Sequence, residues 1–247
     1  MGNTKDKSGI AADQSRQTKE VQQMFDDIAP TYDRVNHVLS LSIDKLWRRH
    51  TVKIVKRLCP KRILDLATGT GDLAIAMARH IDNAEIFGAD LSSEMLAVAA
   101  KKVAQHNLQE RISLTQCGAV KIDMEDCSVD VVTIAFGIRN FENREASLAE
   151  IYRTLRKGGH LVILEFSNPR NRFAGWLYRI YSHHILPLIG GAISKNRRAY
   201  EYLPASVDEF PSPELFMEML RKSGFDNVTR QSQSMGIAQI YIAQRTN

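Results

Sequence analysis

Two carboxylates and two glycines stand close enough in this sequence to build one ligand site. The stretch "DLATGTGDLA" (residues 65–74) sets Asp65 before a loop that carries Gly69 and Gly71 and ends at Ala74, and Asp90 closes the next apolar run, "AEIFGAD". Glycines at that spacing, between a strand and a helix, let backbone approach a nucleotide closely. An acid about twenty residues further on accepts from ribose hydroxyls. Read literally, the pattern suits NAD. Asp65 argues otherwise, because a pyrophosphate sits on the backbone N–H groups of the helix N-terminus and a carboxylate at the mouth of that loop repels it. S-adenosyl-L-methionine has a ribose and a base but no phosphate, and its sulfonium and ammonium are cationic. In that reading Asp65 serves the methionine end directly or through water, and Gly69 and Gly71 admit the nucleoside. Asp90, with Leu91 beside it, holds the ribose. The simpler role for Asp90 is to cap the helix that begins in "DLSSEM".

The elements that must position these groups follow from periodicity. From residue 62 onward, short β-rich runs ("RILDLA", "AEIFGAD", "RISLTQ", "VDVVTIAF", "GHLVILEF") alternate with helical ones ("DLAIAMARHI", "SSEMLAVAAKKVAQH", "NREASLAEIYRTL"). Such alternation implies βαβ units and a mainly parallel sheet. Ser92, Glu94 and Glu145 mark helix starts, and Gly158-Gly159 is read as the end of the helix before the fifth strand. Two or three helices are expected within 17–57, an apolar helical insertion near 172–190, a helix at 213–222 and a terminal hairpin turning at Ser234-Met235-Gly236. The expected architecture is α/β: one doubly wound, Rossmann-like sheet with a C-terminal antiparallel hairpin and helical additions at the N-terminus and after the fifth strand. Residues 1–16 read as a disordered tail and 17–247 as a single domain.

Composition adds bounds. In 247 residues, 44% apolar, a sizeable core can form, and a net charge of +5 favours anionic surfaces without choosing between nucleic acid and membrane. Cys59, Cys117 and Cys127 form no C-x-x-C pair, which fits a reduced compartment and suggests neither disulfides nor zinc. The N-terminus lacks an apolar signal segment and no stretch is long enough to span a bilayer, so a cytoplasmic location is expected. Gly2 is not followed by Ser or Thr at position 6, where Asp6 stands, so myristoylation is not expected. His37, His183 and His184 have no metal-ligand spacing and read as structural, and no metal is expected.

Four blocks resemble, in order, those of the ubiquinone/menaquinone biosynthesis C-methyltransferases: "FDDIAPTYDRVNHVLSLSIDKLWRR", "DLATGTGD", "FGIRNFENREASLAEIYRTLRKGGHLVILEFSNP" and "YEYLPASVDEFPSPELFMEMLRKSGF". The block containing both "FGIRN" and "LEFSNP" is particular to that family. The glycine loop is shared by class I methyltransferases at large. The resemblance implies methyl transfer from S-adenosyl-L-methionine to a ring carbon of a polyprenylated quinol, either 2-demethylmenaquinol to menaquinol or a ubiquinone precursor. It places cofactor contacts on Thr68, Asp90 and the residues after strand three, here Cys117-Gly118-Ala119. Where the family carries Asp or Asn to bind the adenine amine, this chain has Gly118, leaving backbone from Gly118 and Ala119, with Asp123 as a substitute.

Carbon alkylation by a sulfonium needs an electron-rich ring carbon, alignment, support for the neighbouring oxyanion and exclusion of water, and no metal. Arg139 and Asn140, after the fourth strand, stand at the carboxyl edge where open α/β sheets bind ligands. The arginine is expected to stabilise the quinol oxyanion, with water as proton acceptor because guanidinium does not give up its proton. The plainer alternative is a surface salt bridge to Glu142 or Glu145. Tyr32 is a substrate contact or a core aromatic. Residues 167–200 hold six Lys/Arg and no Asp/Glu among Trp176, Tyr178, Ile180, Tyr181 and Leu186, which suits anionic headgroups and a greasy tail. The alternatives are packing on the sheet and RNA binding. The alternative function is a methyltransferase of the same fold acting on RNA or protein. The turn after strand four reads "FGIRN" and not the Asn/Asp-Pro-Pro of base-amine methyltransferases, which disfavours the amine-directed version, and no nucleic acid partner is expected. Homo-oligomerisation is left open.

Overall fold

The computed structural model describes residues 19–169 and 197–247. The apolar runs form strands β1 (Arg62–Leu66), β2 (Glu85–Asp90), β3 (Ile112–Gln116), β4 (Val129–Ala135) and β5 (Leu155–Phe166), parallel in the order β3-β2-β1-β4-β5. The C-terminal strands β6 (Asp226–Gln233) and β7 (Ala238–Gln244) pair antiparallel through a turn at Ser234–Gly236, and β7 runs antiparallel to β5. The doubly wound sheet with a terminal hairpin is thus the one expected. Strand order reverses between β1 and β4, and that switch point opens a crevice beyond the strand ends.

Helices α1 (19–28), α2 (Tyr32–Leu39) and α3 (Ile43–Arg57) precede the sheet. Between strands lie α4 (Asp72–His80), α5 (Ser93–Gln105) and α6 (Arg144–Thr154), and α7 (Arg197–Glu209) and α8 (Pro213–Lys222) follow β5. The central strands are apolar on both faces because both are covered. Ile63, Val131 and Val162 pack with Trp47, Val52, Met77 and Val103 from α3, α4 and α5. Their neighbours Leu64, Val132 and Leu161 pack with Leu148 and Ile151 of α6 and Phe216 and Leu220 of α8.

The helix starts are capped as their residue types require: Ser92 Oγ accepts the Met95 N–H at 3.1 Å and Asn143 Oδ1 accepts the Ala146 N–H at 2.9 Å. Gly158-Gly159 does not end a helix. α6 stops at Thr154, β5 starts at Leu155, and the glycines lie inside the strand, where pairing with β4 shifts between Val129 and Val131. Gly158 has φ +79° and a Cβ on Gly159 would meet the Arg156 and Asp130 carbonyl oxygens at 2.8 and 3.0 Å, so the pair serves a bulge. The expected insertion helix near 172–190, with His183 and His184, lies outside the described residues.

Candidate active site

A cavity of about 260 Å³ opens at the switch point. Its floor is the loop after β1 (Ala67, Gly69), its side walls are the ends of β2 and β3 (Asp90, Leu91, Gly118, Ala119) and the loop after β4, and its roof comes from α1 and α2 (Phe25, Tyr32). Five of the eight residues expected at the cofactor therefore line it, together with Tyr32 and Asn140.

Asp90 is held by backbone. Its Oδ2 accepts the Gly69 N–H at 2.8 Å and its Oδ1 the Ser92 N–H at 2.9 Å. Burial pushes its carboxyl up, against the pull of these N–H groups. It thus braces the loop and the start of α5 while facing the cavity, so the ribose and capping readings are compatible. At Gly118 an added Cβ would meet only Leu91 Cδ1, at 3.8 Å, leaving that wall open to a flat ring. Asp123, the considered substitute, is exposed and outside the cavity lining.

Asp65 and Thr68 lie beneath the loop rather than in the cavity wall. The buried Asp65 carboxylate accepts from the Thr68 hydroxyl at 2.7 Å and the Thr133 hydroxyl at 2.6 Å. Burial raises its carboxyl to about 6, opposed by these two hydroxyls. In this structure Asp65 anchors the loop from beneath and does not line the cavity. Gly71, with φ +81°, closes the loop at the start of α4. The first turn of α4 brings its own anion, since Asp72 pairs with Lys102 and, at 3.7 Å, with Arg48. A helix end neutralised in this way suits a nucleoside without a diphosphate.

Arg139 was expected at the cavity or in a surface pair with Glu142 or Glu145, and it is in neither place. It is buried, and its Nη1 donates to Glu165 Oε1 at 2.7 Å and to the Phe136 carbonyl at 2.5 Å, while its Nε donates to Ser206 Oγ at 3.3 Å. Glu165, fully buried, also accepts the Arg139 N–H at 3.2 Å and the Phe166 N–H at 2.8 Å. Burial depresses the Arg139 pKa, and the charge and hydrogen bond of Glu165 together with Tyr32 and Tyr202 more than restore it. The pair stands behind the cavity wall, close enough to Tyr32 and Tyr202 for its charge to act on both hydroxyls. Tyr202 donates to Asn140 Oδ1 at 3.1 Å, which turns the Asn140 amide nitrogen into a free donor. Burial raises the Tyr32 pKa, against the lowering effect of Arg139, so its hydroxyl remains a proton donor at neutral pH.

Sequence reasoning missed Glu165, Ser206, Tyr202 and the α1 residues. A lone glutamate inside "HLVILEF" was the available signal, because a charge at a core position requires a buried partner. On α1, Gln22 Nε2 donates to the Leu91 carbonyl at 3.1 Å and Asp26 accepts from the Ser92 hydroxyl, fastening the roof to the wall beside Asp90. His37 is structural, pairing with Asp44 at 2.9 Å. No group of three metal-ligating side chains occurs among the described residues.

Residues 12–245 match the model of the ubiE/COQ5 methyltransferase family. The chain belongs to this family. Among its relatives, the demethylmenaquinone methyltransferase of Thermus thermophilus is 44% identical over 222 residues, covering 90% of this chain and all of that protein. The ubiquinone/menaquinone biosynthesis C-methyltransferase UbiE of Geotalea daltonii is 45% identical over 228 residues, covering 92% and 97% of the two chains. The fold resembles that of a SAM-dependent methyltransferase from Aquifex aeolicus (TM-score 0.56, 17% identity, 79% of this chain and 89% of that one). The protein is therefore a methyltransferase of the class I, Rossmann-like fold, and the dinucleotide reading of the glycine loop is set aside.

Proposed function

We propose that this methyltransferase transfers the methyl group of S-adenosyl-L-methionine to a ring carbon of a polyprenylated quinol, converting 2-demethylmenaquinol to menaquinol. The same chemistry would serve a ubiquinone precursor. The observation that carries the reading is the single cavity, in a member of this family, that joins Asp90 at one wall to Tyr32 and Asn140 at another. Asp90 takes the ribose hydroxyls, Leu91, Gly118 and Ala119 flank the adenine, and the loop of Gly69 and Gly71, pinned by Thr68 and Asp65, receives the methionine end. When bound, the cofactor supplies an electrophilic methyl group on a positive sulfur.

The remaining work falls to the chain's own groups. The Tyr32 hydroxyl and the Asn140 amide donate to the quinol oxygen and hold the ring. Arg139 acts from behind, as the positive end of a buried ion pair whose field favours charge on that oxygen. Neither Tyr32 nor Arg139 is a base at neutral pH, so the ring proton passes to water. The basic apolar segment within 167–204 would meet the bilayer, at the inner face of the cytoplasmic membrane.

Calorimetric titration with S-adenosylhomocysteine and with NAD, followed by mass spectrometry of methyl transfer to demethylmenaquinol and to a ubiquinone precursor, tests the reading. Tight NAD binding without S-adenosylhomocysteine binding would overturn it. Arg139→Ala strands Glu165 and is expected to cost about 3–5 kcal/mol of stability, so Arg139→Lys carries the mechanistic test. It should lower kcat at least about tenfold with cofactor affinity unchanged; an equal loss in both would reassign Arg139 to structure.

A further inference from the structure

On the face of the molecule built by α3, α4 and α5 lies a second groove, of about 740 Å³, lined by seven Lys or Arg side chains and one carboxylate, Asp72. Asp72 is taken up by Arg48 and Lys102, and Arg48 and Lys102 also hold Asp44 and Asp33. The other five cations, Lys45, Arg49, Lys53, Lys56 and Arg79, have no salt bridge among the described residues. Lys45, Arg49, Lys53 and Lys56 recur every three or four residues along α3 and so share one face. Their charge is gathered but not used within the fold.

Beside this face the chain exposes grease. Of the seven large apolar side chains exposed among the described residues, four fall between 38 and 46: Val38, Leu41, Ile43 and Leu46. Leu41 is 80% exposed, at the turn between α2 and α3. Leu41 and Ser42 both adopt left-handed backbone, φ 50° and 60°, which non-glycine residues seldom do. The left-handed turn closes the C-terminus of α2, the Ser42 N–H donating to the His37 carbonyl at 2.8 Å, and in doing so it presents Leu41 to solvent.

We propose that this basic groove and the apolar turn beside it dock the protein on an anionic lipid bilayer, with phosphodiester headgroups against Lys45, Arg49, Lys53, Lys56 and Arg79 and the turn at 38–46 seated among acyl chains. Cations flanking inserted aliphatic groups are what interfacial binding requires. RNA would match the charge, and His37, His80 and His106 line the groove, but the exposed side chains at 38–46 are all aliphatic, which suits acyl chains better than bases. The choice of a bilayer rests in part on the quinol reading, since a polyprenyl tail resides there. α2 supplies the connection: Tyr32 at its start lines the cavity and Val38 lies six residues on, about 9 Å along the helix axis. A quinol ring can therefore enter while its tail stays in the membrane.

Full-length protein is sedimented with vesicles of phosphatidylcholine alone or mixed with phosphatidylglycerol. Binding is expected only to the anionic vesicles and should weaken with salt. The triple variant Arg49→Glu/Lys53→Glu/Lys56→Glu should bind them at least about a hundredfold more weakly, and Leu41→Ser/Leu46→Ser about tenfold more weakly. Both should keep wild-type affinity for S-adenosylhomocysteine and wild-type methylation of a short-chain soluble quinol, while losing methylation of a long-chain quinol in vesicles. Undiminished vesicle binding by the triple variant would overturn the assignment and leave docking to the segment within 167–204. Preference for single-stranded RNA over vesicles, or saturation by inorganic phosphate without vesicle binding, would also overturn it. If the wild type docks but methylates no quinol of either kind, the functional reading fails and this one stands.

Discussion

At the scale of single residues, Asp65 is the sharpest point of contact between sequence and chemistry. Its carboxyl is buried between two threonine hydroxyls and is raised to about 6 from 3.8, burial being the largest cause. A carboxylate whose folded value lies above its unfolded one stabilises the fold fully below the unfolded value, and that contribution is lost as pH rises through the folded one. Between pH 4 and 7.5, wild type should therefore lose about 2 kcal/mol relative to Asp65→Asn, with most of the change between pH 4 and 6. Urea titrations of both proteins at several pH values check this; a difference that stays flat would mean the carboxylate is ionised throughout. Tyr32 offers a second test. Tyr32→Phe removes one donor to the quinol oxygen and should lower kcat about a hundredfold, with S-adenosylhomocysteine affinity within a factor of three as roughly the noise of a lost edge contact. Asp90 and Asn140 were legible as candidates because they stand at or just after strand ends, whereas Tyr32, at the start of α2, could be read equally as a substrate contact or a core aromatic. Glu165 was not, because its only role is to be the partner of Arg139, and partnership across strands and loops is a property of the fold.

At the scale of elements, the site depends on how closely two loops approach. A Cβ on Gly137, after β4, would meet the Ala67 Cβ, after β1, at 2.6 Å. Neither atom belongs to a flexible side chain, so relief must come from the loops that frame the switch point. Gly137→Ala is expected to weaken S-adenosylhomocysteine binding by at least about tenfold with the fold retained, since overpacking costs about 1–3 kcal/mol and here falls on the cavity wall. Calorimetric titration beside a circular dichroism melt distinguishes this from unfolding, and unchanged affinity would mean that the loops separate without disturbing the cavity. Periodicity located these strands and helices well, because alternation and the 3.6-residue repeat are local. It misplaced Gly158-Gly159, where the same residues that end helices are used to let β5 bulge against β4. A glycine pair reports that backbone must bend or approach closely without saying in which element.

At the scale of the whole molecule, the sheet was legible and the cover was not. Nothing in the spacing of 19–39 required α1 to fasten to the end of β2, yet Gln22 and Asp26 make that bond. The fastening is modest: Val21, Gln22 and Phe25 touch the cavity, the small buried cluster of Ile28, Ala29, Val35 and Met95 carries the half-buried Phe25, Tyr32 and Leu203 against it, and Asp33 of α2 is held by Lys102 and Thr70. Such an element opens locally at a free energy well below that of the sheet, and a ligand filling the cavity adds contacts that only the closed form makes. At a hundredfold excess over its Kd, S-adenosylhomocysteine should stabilise the ligand-binding state by about 2.7 kcal/mol, and amide exchange should report where. Protection in 19–39 is expected to rise by up to about a hundredfold, whereas β6 and β7, at the far side of the sheet, gain only what slower global unfolding gives them. Gln22→Ala/Asp26→Ala should erase the selective part of that gain in 19–39 while leaving the fold intact. Equal protection of the roof and the hairpin, in wild type as in the variant, would show that α1 and α2 move with the sheet and that the cavity is closed before any ligand arrives.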